Sequence, residues 1–284
     1  MIFEHEIPQN SRLYFGESAK LKREIENICS YKLEKLGFSE IVTPLFSYHQ
    51  HEGFIDDRVL VRLNDSNNEE VSLRADSTVD VVRIVTKRLG RSQDNKRWFY
   101  IQPIFTYPTN EQYQIGAEVI EGSLEEVANI SLNLLNDLDI DFNFQVANIA
   151  IAYTLVNNYG FELDDIKNIR LDKIMSKNYD WIEPLVGIST LDDLKDLSIY
   201  PDDIRFELEK IANAVRSIEA KDILVSPLYY APMHYYNSLI FRAFSAQSLY
   251  ATGGIYSIKG VSGAGFAIYT DAIIAKKMQK GIDE

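Results

Sequence analysis

The chain has 284 residues, enough for one substantial core and a smaller lobe. Its formal net charge of −13 creates a negative field that opposes phosphate backbones, so nucleic acid is not an expected partner. One cysteine, Cys29, rules out an internal disulfide; with four histidines lacking clustered spacing, no metal and no cofactor are expected.

The opening MIFEHEIPQN has neither a basic stretch nor an apolar stretch, so no secretory leader is expected. No apolar run approaches the roughly eighteen residues a membrane helix needs, and a cytoplasmic location is expected. Residues 18–36 read as an amphipathic helix with Ser18 as N-cap. Leu21, Ile25, Ile28, Cys29, Leu33 and Leu36 recur at helical spacing, and Gly37 stops the helix. A strand at Ser39–Val42 ends before Pro44. Residues 70–74 read as a strand that runs into a helix at Thr78–Leu89. Strands near 98–106 and 112–121 flank Pro108, Thr109 and Asn110, which predicts a hairpin.

A helix over 123–137 follows, and Asn148 is placed to cap another that ends at Gly160. Residues 161–221 then read as mostly helical. Thr190 caps a short helix and Pro201 opens a longer one carrying Ile204, Leu208, Ile211, Val215 and Ile218. Strands resume at Ile223–Val225 and across 235–256. Gly253, Gly254, Gly260, Gly263 and Gly265 read as tight turns with close backbone packing, and GFAIYT and a helix at Asp271–Lys280 close the chain. Adjacent hairpins with helices around them predict an α+β fold on an antiparallel sheet, divided into a core of 1–149 with 222–284 and a helical insertion of 150–221.

Alternation on the second hairpin strand puts Gln114, Gly116 and Glu118 on one side and Tyr113, Ile115 and Ala117 on the other. The first set suits either a polar ligand floor or a solvated sheet face. Tyrosines cluster at Tyr229, Tyr230, Tyr235 and Tyr236, which suits a pocket or a subunit interface. His234 beside them reads as a pocket wall, since no nucleophile or triad partner is apparent.

LRADSTVDVVRIV (Leu73–Val85), YIQPIF and YQIGAEVIEG (within Tyr100–Gly122), HYYNSLIF (His234–Phe241), GGIY (Gly253–Tyr256) and GFAIYTDAI (Gly265–Ile273) occur in this order. In the same order they resemble segments of class II histidyl-tRNA synthetases and of their paralogue, the regulatory subunit of ATP phosphoribosyltransferase. EIVTPLFSY (Glu40–Tyr48) resembles that superfamily's dimer-forming first motif, which implies a homodimer through the N-terminal segment. The likeness spans nearly the whole chain and is weakest over 161–221. It implies the class II synthetase type of sheet.

The departures from the synthetase pattern are cationic. Family arginines correspond to Thr106, Ala231, Ile255 and Ala272 here, and the turn after Thr106 is shortened to PTNE. Losing one donor to a developing negative charge costs about two to three orders of magnitude in rate. No histidine activation, no aminoacylation and no catalytic residue are therefore expected; because the sequence stops just after the last motif, no anticodon-binding domain is expected either. Arg74 and Arg83 are kept.

The resemblance keeps a histidine-like pocket at Asp76, Thr78, Gln114, Glu118, Tyr235, Tyr236 and Tyr256. Asp76 stands where the family has Glu, one methylene longer. The expected function is a non-catalytic regulatory subunit of ATP phosphoribosyltransferase in histidine biosynthesis. Such a chain activates a short catalytic subunit within a hetero-octamer and takes part in feedback by histidine. The alternatives are a synthetase-like enzyme with a remodelled pocket and a stand-alone amino-acid sensor.

Overall fold

The computed structural model describes residues 6–53, 57–90, 92–231, 233, 235–246 and 248–283. His234 lies outside the described residues. Helix α1 (Gly16–Lys35) turns Ile25, Cys29 and Leu33 inward and ends before Gly37, whose φ of +82° suits glycine. Its N-cap is Phe15, not Ser18. Ser18 occupies the third helical position, where its Oγ accepts from the Phe15 amide at 3.1 Å and donates to the Phe15 carbonyl at 2.9 Å. Strand β1 (Ser39–Glu40) is shorter than the expected Ser39–Val42. Strands β2 (Phe46–Ser47), β3 (Arg62–Asn64) and β4 (Glu70–Leu73) form a small antiparallel sheet ordered β2-β4-β3.

Helix α2 (Ser77–Arg83) gives way to a π-helical turn at Ile84–Leu89, so the expected helix at Thr78–Leu89 is two helical forms in series. The hairpin is β5 (Arg97–Thr106) and β6 (Asn110–Ile120), with Gln102 opposite Gln114 and Trp98 opposite Glu118. Helix α3 (Leu124–Asp137) is capped by Ser123 and buries Leu124, Val127, Leu134 and Leu135. Each such fully buried aliphatic side chain contributes about 1.5–3 kcal/mol. Strand β7 (Asn143–Asn148) leads into α4 (Ile149–Tyr159), where Asn148 accepts from the Ala150 amide and Gly160 closes the helix at φ +67°.

Between β7 and the next strand the described elements are helical: α4, α5 (Leu163–Lys167), α6 (Leu171–Met175), α7 (Ile182–Gly187) and α8 (Asp202–Ser217). Thr190 precedes a single 3-10 turn at Asp192–Leu194, and both its amide and its hydroxyl donate to Asp193. Ile204, Leu208 and Ile211 of α8 join the same apolar cluster as α3 and the sheet's helix-covered side. Strands β8 (Ile223–Val225), β9 (Tyr236–Ser245), β10 (Ser248–Ile258) and β11 (Val261–Tyr269) follow, and α9 (Thr270–Asp283) ends the described chain.

Among the described residues the main sheet has eight strands in the order β1-β5-β6-β11-β10-β9-β7-β8. Its interior pairs are antiparallel, as the hairpins predict, while the edge pairs β1·β5 and β7·β8 are parallel. The glycines sit differently from the expected turns. Gly253 and Gly254 lie within β10 and Gly263 and Gly265 within β11; Gly260 alone of the group turns the chain, at φ +83°. No helix among the described residues is long and apolar enough to cross a membrane.

Candidate functional site

One side of the sheet is sealed by α3, α8 and their neighbours, so polar side chains on the other side face a cavity. Strand alternation decides which ones. On β6, Ile115, Ala117 and Val119 enter the apolar cluster, and Gln114 and Glu118 line the cavity. On β10, Thr252 and Tyr256 line it, with Gly254 between them in the alternation, and Ile255 packs into the core. The cavity has a volume of about 160 Å³. Asp76, Thr78, Gln114, Glu118, Tyr235, Tyr236 and Tyr256 all line this space.

Asp76 reaches it because it caps α2, accepting from the Val79 amide at 3.2 Å. Its other carboxylate oxygen accepts from the Tyr235 hydroxyl at 2.9 Å. The backbone around it is clamped by Gln50, which is fully buried. Gln50 Oε1 accepts from the Ala75 and Asp76 amides at 2.8 and 2.7 Å, while its Nε2 donates to the Asp76 carbonyl and to Asp80. Burial pushes the Asp76 carboxyl up to about 6, against the pull of the Val79 amide and the Tyr235 hydroxyl.

Glu118 is the most confined acid of the site, with no exposed surface. Burial holds its carboxyl well above the usual carboxylate range; the Thr78 hydroxyl, donating to Oε1 at 2.8 Å, works the other way. Its Oε2 has no hydrogen-bond partner, and neither has the buried Tyr256 hydroxyl. The Tyr256 hydroxyl and the Glu118 carboxyl act on each other's ionisation as hydrogen-bonding neighbours, although their contact falls outside strict hydrogen-bond geometry.

The strand glycines make this arrangement possible. A Cβ at Gly265 would stand 2.0 Å from Glu118 Oε2, and one at Gly263 would stand 2.6 Å from the Tyr256 hydroxyl. At Gly116 it would meet the Tyr100 hydroxyl at 2.3 Å. The sequence reading missed Thr252 and Tyr269, which line the cavity and hydrogen-bond to each other at 2.8 Å. Thr252 stands two alternations before Tyr256, and Tyr269 pairs with Gln114 across β6 and β11, so both were recoverable from strand period and register.

The positions of the expected arginine losses divide. Thr106 lines the cavity, whereas Ala231, Ile255 and Ala272 pack against apolar clusters. The firmer observation is the lining as a whole, which among the described residues includes no lysine or arginine. The retained arginines work elsewhere. Arg74, 1% exposed, donates to the carbonyls of Thr43, Pro44 and Pro103, and Arg83 pairs with Glu52 at 2.8 Å. Chemically the site can hold a cation against carboxyls and phenols; its described lining offers no cationic grip for a phosphate chain.

The family model described as histidyl-tRNA synthetase matches residues 14–203. The chain is 41% identical over 278 residues to the ATP phosphoribosyltransferase regulatory subunit of Wolinella succinogenes, covering 97% of each chain. It is 39% identical over 276 residues to the protein of that name from Helicobacter hepaticus, covering 96% of this chain and 98% of that one. Among solved structures, an ATP phosphoribosyltransferase regulatory subunit/histidyl-tRNA synthetase from Bacillus halodurans superposes with a TM-score of 0.83 at 18% identity, over 97% of this chain and 84% of that one. A histidine–tRNA ligase subunit from Alicyclobacillus acidocaldarius gives 0.78 at 18% identity over the full length of both. The chain thus carries the class II histidyl-tRNA synthetase fold and belongs to the histidyl-tRNA synthetase-like family of ATP phosphoribosyltransferase regulatory subunits.

Proposed function

We propose that this protein is a non-catalytic regulatory subunit acting in histidine biosynthesis. It docks a short catalytic subunit of ATP phosphoribosyltransferase, favours that subunit's active conformation, and relays the occupancy of its own cavity to it. The observation that carries the reading is the cavity lining: buried acids and tyrosines are present, and no described cation is there to hold a nucleotide's phosphates. The names of the relatives from Wolinella succinogenes and Helicobacter hepaticus point the same way.

Regulation of this kind is a coupling free energy between two sites. An effector in the cavity shifts the catalytic subunit only by the difference in its affinity for the two states. Asp76, Thr78, Gln114, Glu118, Tyr235, Tyr236 and Tyr256 are the proposed ligand contacts, and histidine is the first effector to test. A homodimer through the N-terminal segment fits the exposure of Tyr31, Val42, Phe46 and Tyr48, and a hetero-octamer in the cytoplasm is the proposed assembly. Residues 1–149 with 222–284 form the proposed core, with 150–221 inserted.

The test is co-expression with the short catalytic subunit of the source organism. The reading expects co-purification, a catalytic subunit that is active only in the complex, and an effect of histidine that Glu118→Gln alters. A catalytic subunit that is fully active alone and fails to co-purify would defeat it.

A further inference from the structure

Beyond the cavity, the open side of the sheet continues across β9, β7 and β8. There Phe144 and Val146 of β7, Phe241 and Ala243 of β9 and Val225 of β8 join the apolar cluster on the helix-covered side. Their neighbours Gln145, Arg242 and Leu224 therefore stand on the open side. Register sets these in one row, with Gln145 paired to Arg242 on one flank and to Leu224 on the other. None of them lines the cavity.

Arg242 is half-buried and fixed by its neighbours. Its Nε donates to Oε1 of Gln145, itself buried, whose Nε2 donates to Ser226 Oγ. Its Cζ lies 4.2 Å from the centre of the Tyr229 ring and 4.5 Å from that of Phe244. No described acid pairs with it, and no described group accepts from its two terminal nitrogens. A guanidinium fork held in this way matches the two oxygens of a carboxylate, with less ordering left to lose on binding. A phosphate monoester carries about −1.5 to −2, more than one cation among neutral Gln145, Ser226 and Tyr229 balances.

Apolar surface extends from the same point. Leu249, paired with Phe244, is 36% exposed, and Leu224 is 38% exposed. Leu224 also opens on a groove at the β8 edge with Leu191, Val215, Ala220 and Ile223. An arginine and aromatics at the centre of an apolar surface is the composition of a protein-binding hot spot. Adjacent strands stand about 4.8 Å apart, so the Leu224 and Arg242 backbones, with Gln145 between them, are about 10 Å apart. An extended segment advances about 3.3 Å per residue, so about three residues span that distance.

We infer that this face docks the catalytic subunit, through an extended segment of that subunit that sets a carboxylate on Arg242 and an apolar side chain, about three residues away, on Leu224. This rests on reading the chain as a regulatory subunit with a catalytic partner. Thr252, which lines the cavity, pairs with Arg242 across β10 and β9, so the docked carboxylate lies one strand from the cavity.

Surface plasmon resonance of the full chain with the purified short catalytic subunit tests it, using Arg242→Met, Arg242→Lys and Leu224→Glu, with folding checked by thermal melting. Phe206→Glu, at an exposed position on α8 across the sheet, is the control. Arg242→Met and Leu224→Glu are each expected to weaken binding about thirtyfold or more, mainly through faster dissociation. Arg242→Lys keeps the charge and loses the fork, and is expected to weaken it about tenfold. The control is expected to stay within about threefold of wild type, as for a surface site outside the interface. Leu224→Glu changes an exposed side chain, so it decides the matter if the Arg242 variants do not fold. Wild-type affinity in a folded Arg242→Met or Leu224→Glu overturns the inference and leaves the regulatory reading standing. So does a change in self-association of this chain with the complex unaffected, since a second copy would then be the occupant. No binding by the wild-type chain defeats the regulatory reading itself.

Discussion

At one end of the cavity Asp76, Thr78 and Glu118 are held by Gln50, Tyr235 and one another; at the other, Thr106 and Gln112 are half-buried beside an exposed turn at 107–109. The hairpin turn is steadied from outside, where the Gln9 and Asn10 carbonyls accept from Thr109 and Glu111. The acidic end has its side chains fixed by buried contacts before any ligand arrives. The hairpin end is neutral in the described lining and borders an exposed turn. Preorganised groups are what make a binding site selective, so on the proposed reading specificity would reside at the acidic end. The hairpin end, without cations in that lining, lacks what phosphoryl chemistry needs.

The comparison breaks most easily at Arg74. Its guanidinium ties the Thr43–Pro44 segment to Pro103 of β5 just before α2, and Arg74 and Thr43 are both buried. Arg74→Met strands those carbonyls, and the expected loss is about 3–5 kcal/mol, read by denaturant unfolding. A loss under about 1 kcal/mol would mean that the acidic end is not rigidly held.

Gly265→Ala sharpens the comparison. The added methyl would meet Glu118 Oε2 at 2.0 Å and the Ala117 carbonyl oxygen at 2.9 Å. Overpacking of this kind costs about 1–3 kcal/mol. The fold is expected to survive with a lowered melting temperature, and effector binding in the cavity to be lost. Unchanged binding would show that Glu118 is not the contact.

Asp76→Asn has the smallest effect and a definite sign. The folded carboxyl is raised from 3.8 to about 6, so the native state holds its proton more tightly than the unfolded chain. The wild-type protein therefore loses stability from Asp76 as pH rises from about 4 to about 6, and the loss levels off above that. Asparagine keeps a capping oxygen for α2 and carries no charge. The variant is expected to lack this component of the pH slope and to melt at or above the wild-type temperature at pH 7. Thermal melts from pH 4 to pH 8 read both, and superimposable slopes would contradict the assignment.

Much of this was legible from period alone. The alternation of β6 separates Gln114 and Glu118 from Ile115 and Ala117, and the spacing of α3 and α8 predicts their buried faces. What the sequence hid was set by distance along the chain. Nothing local marks Gln50 as the clamp on Asp76, or Arg74 as a buried bridge to Pro103, because each role is created by segments that meet only on folding. The glycines of β10 and β11 read as turns because glycine is permissive, yet their missing side chains are what admit Glu118 and Tyr256. Ser18 read as a cap because its chemistry suits one, although helix α1 begins earlier, after Phe15.

The central claim is that a synthetase-type site here binds without activating. Amino-acid-dependent pyrophosphate exchange with ATP, run with the purified chain and each proteinogenic amino acid in turn, tests it most directly. The account predicts background exchange with all of them, histidine included. Robust exchange with any one amino acid would contradict it.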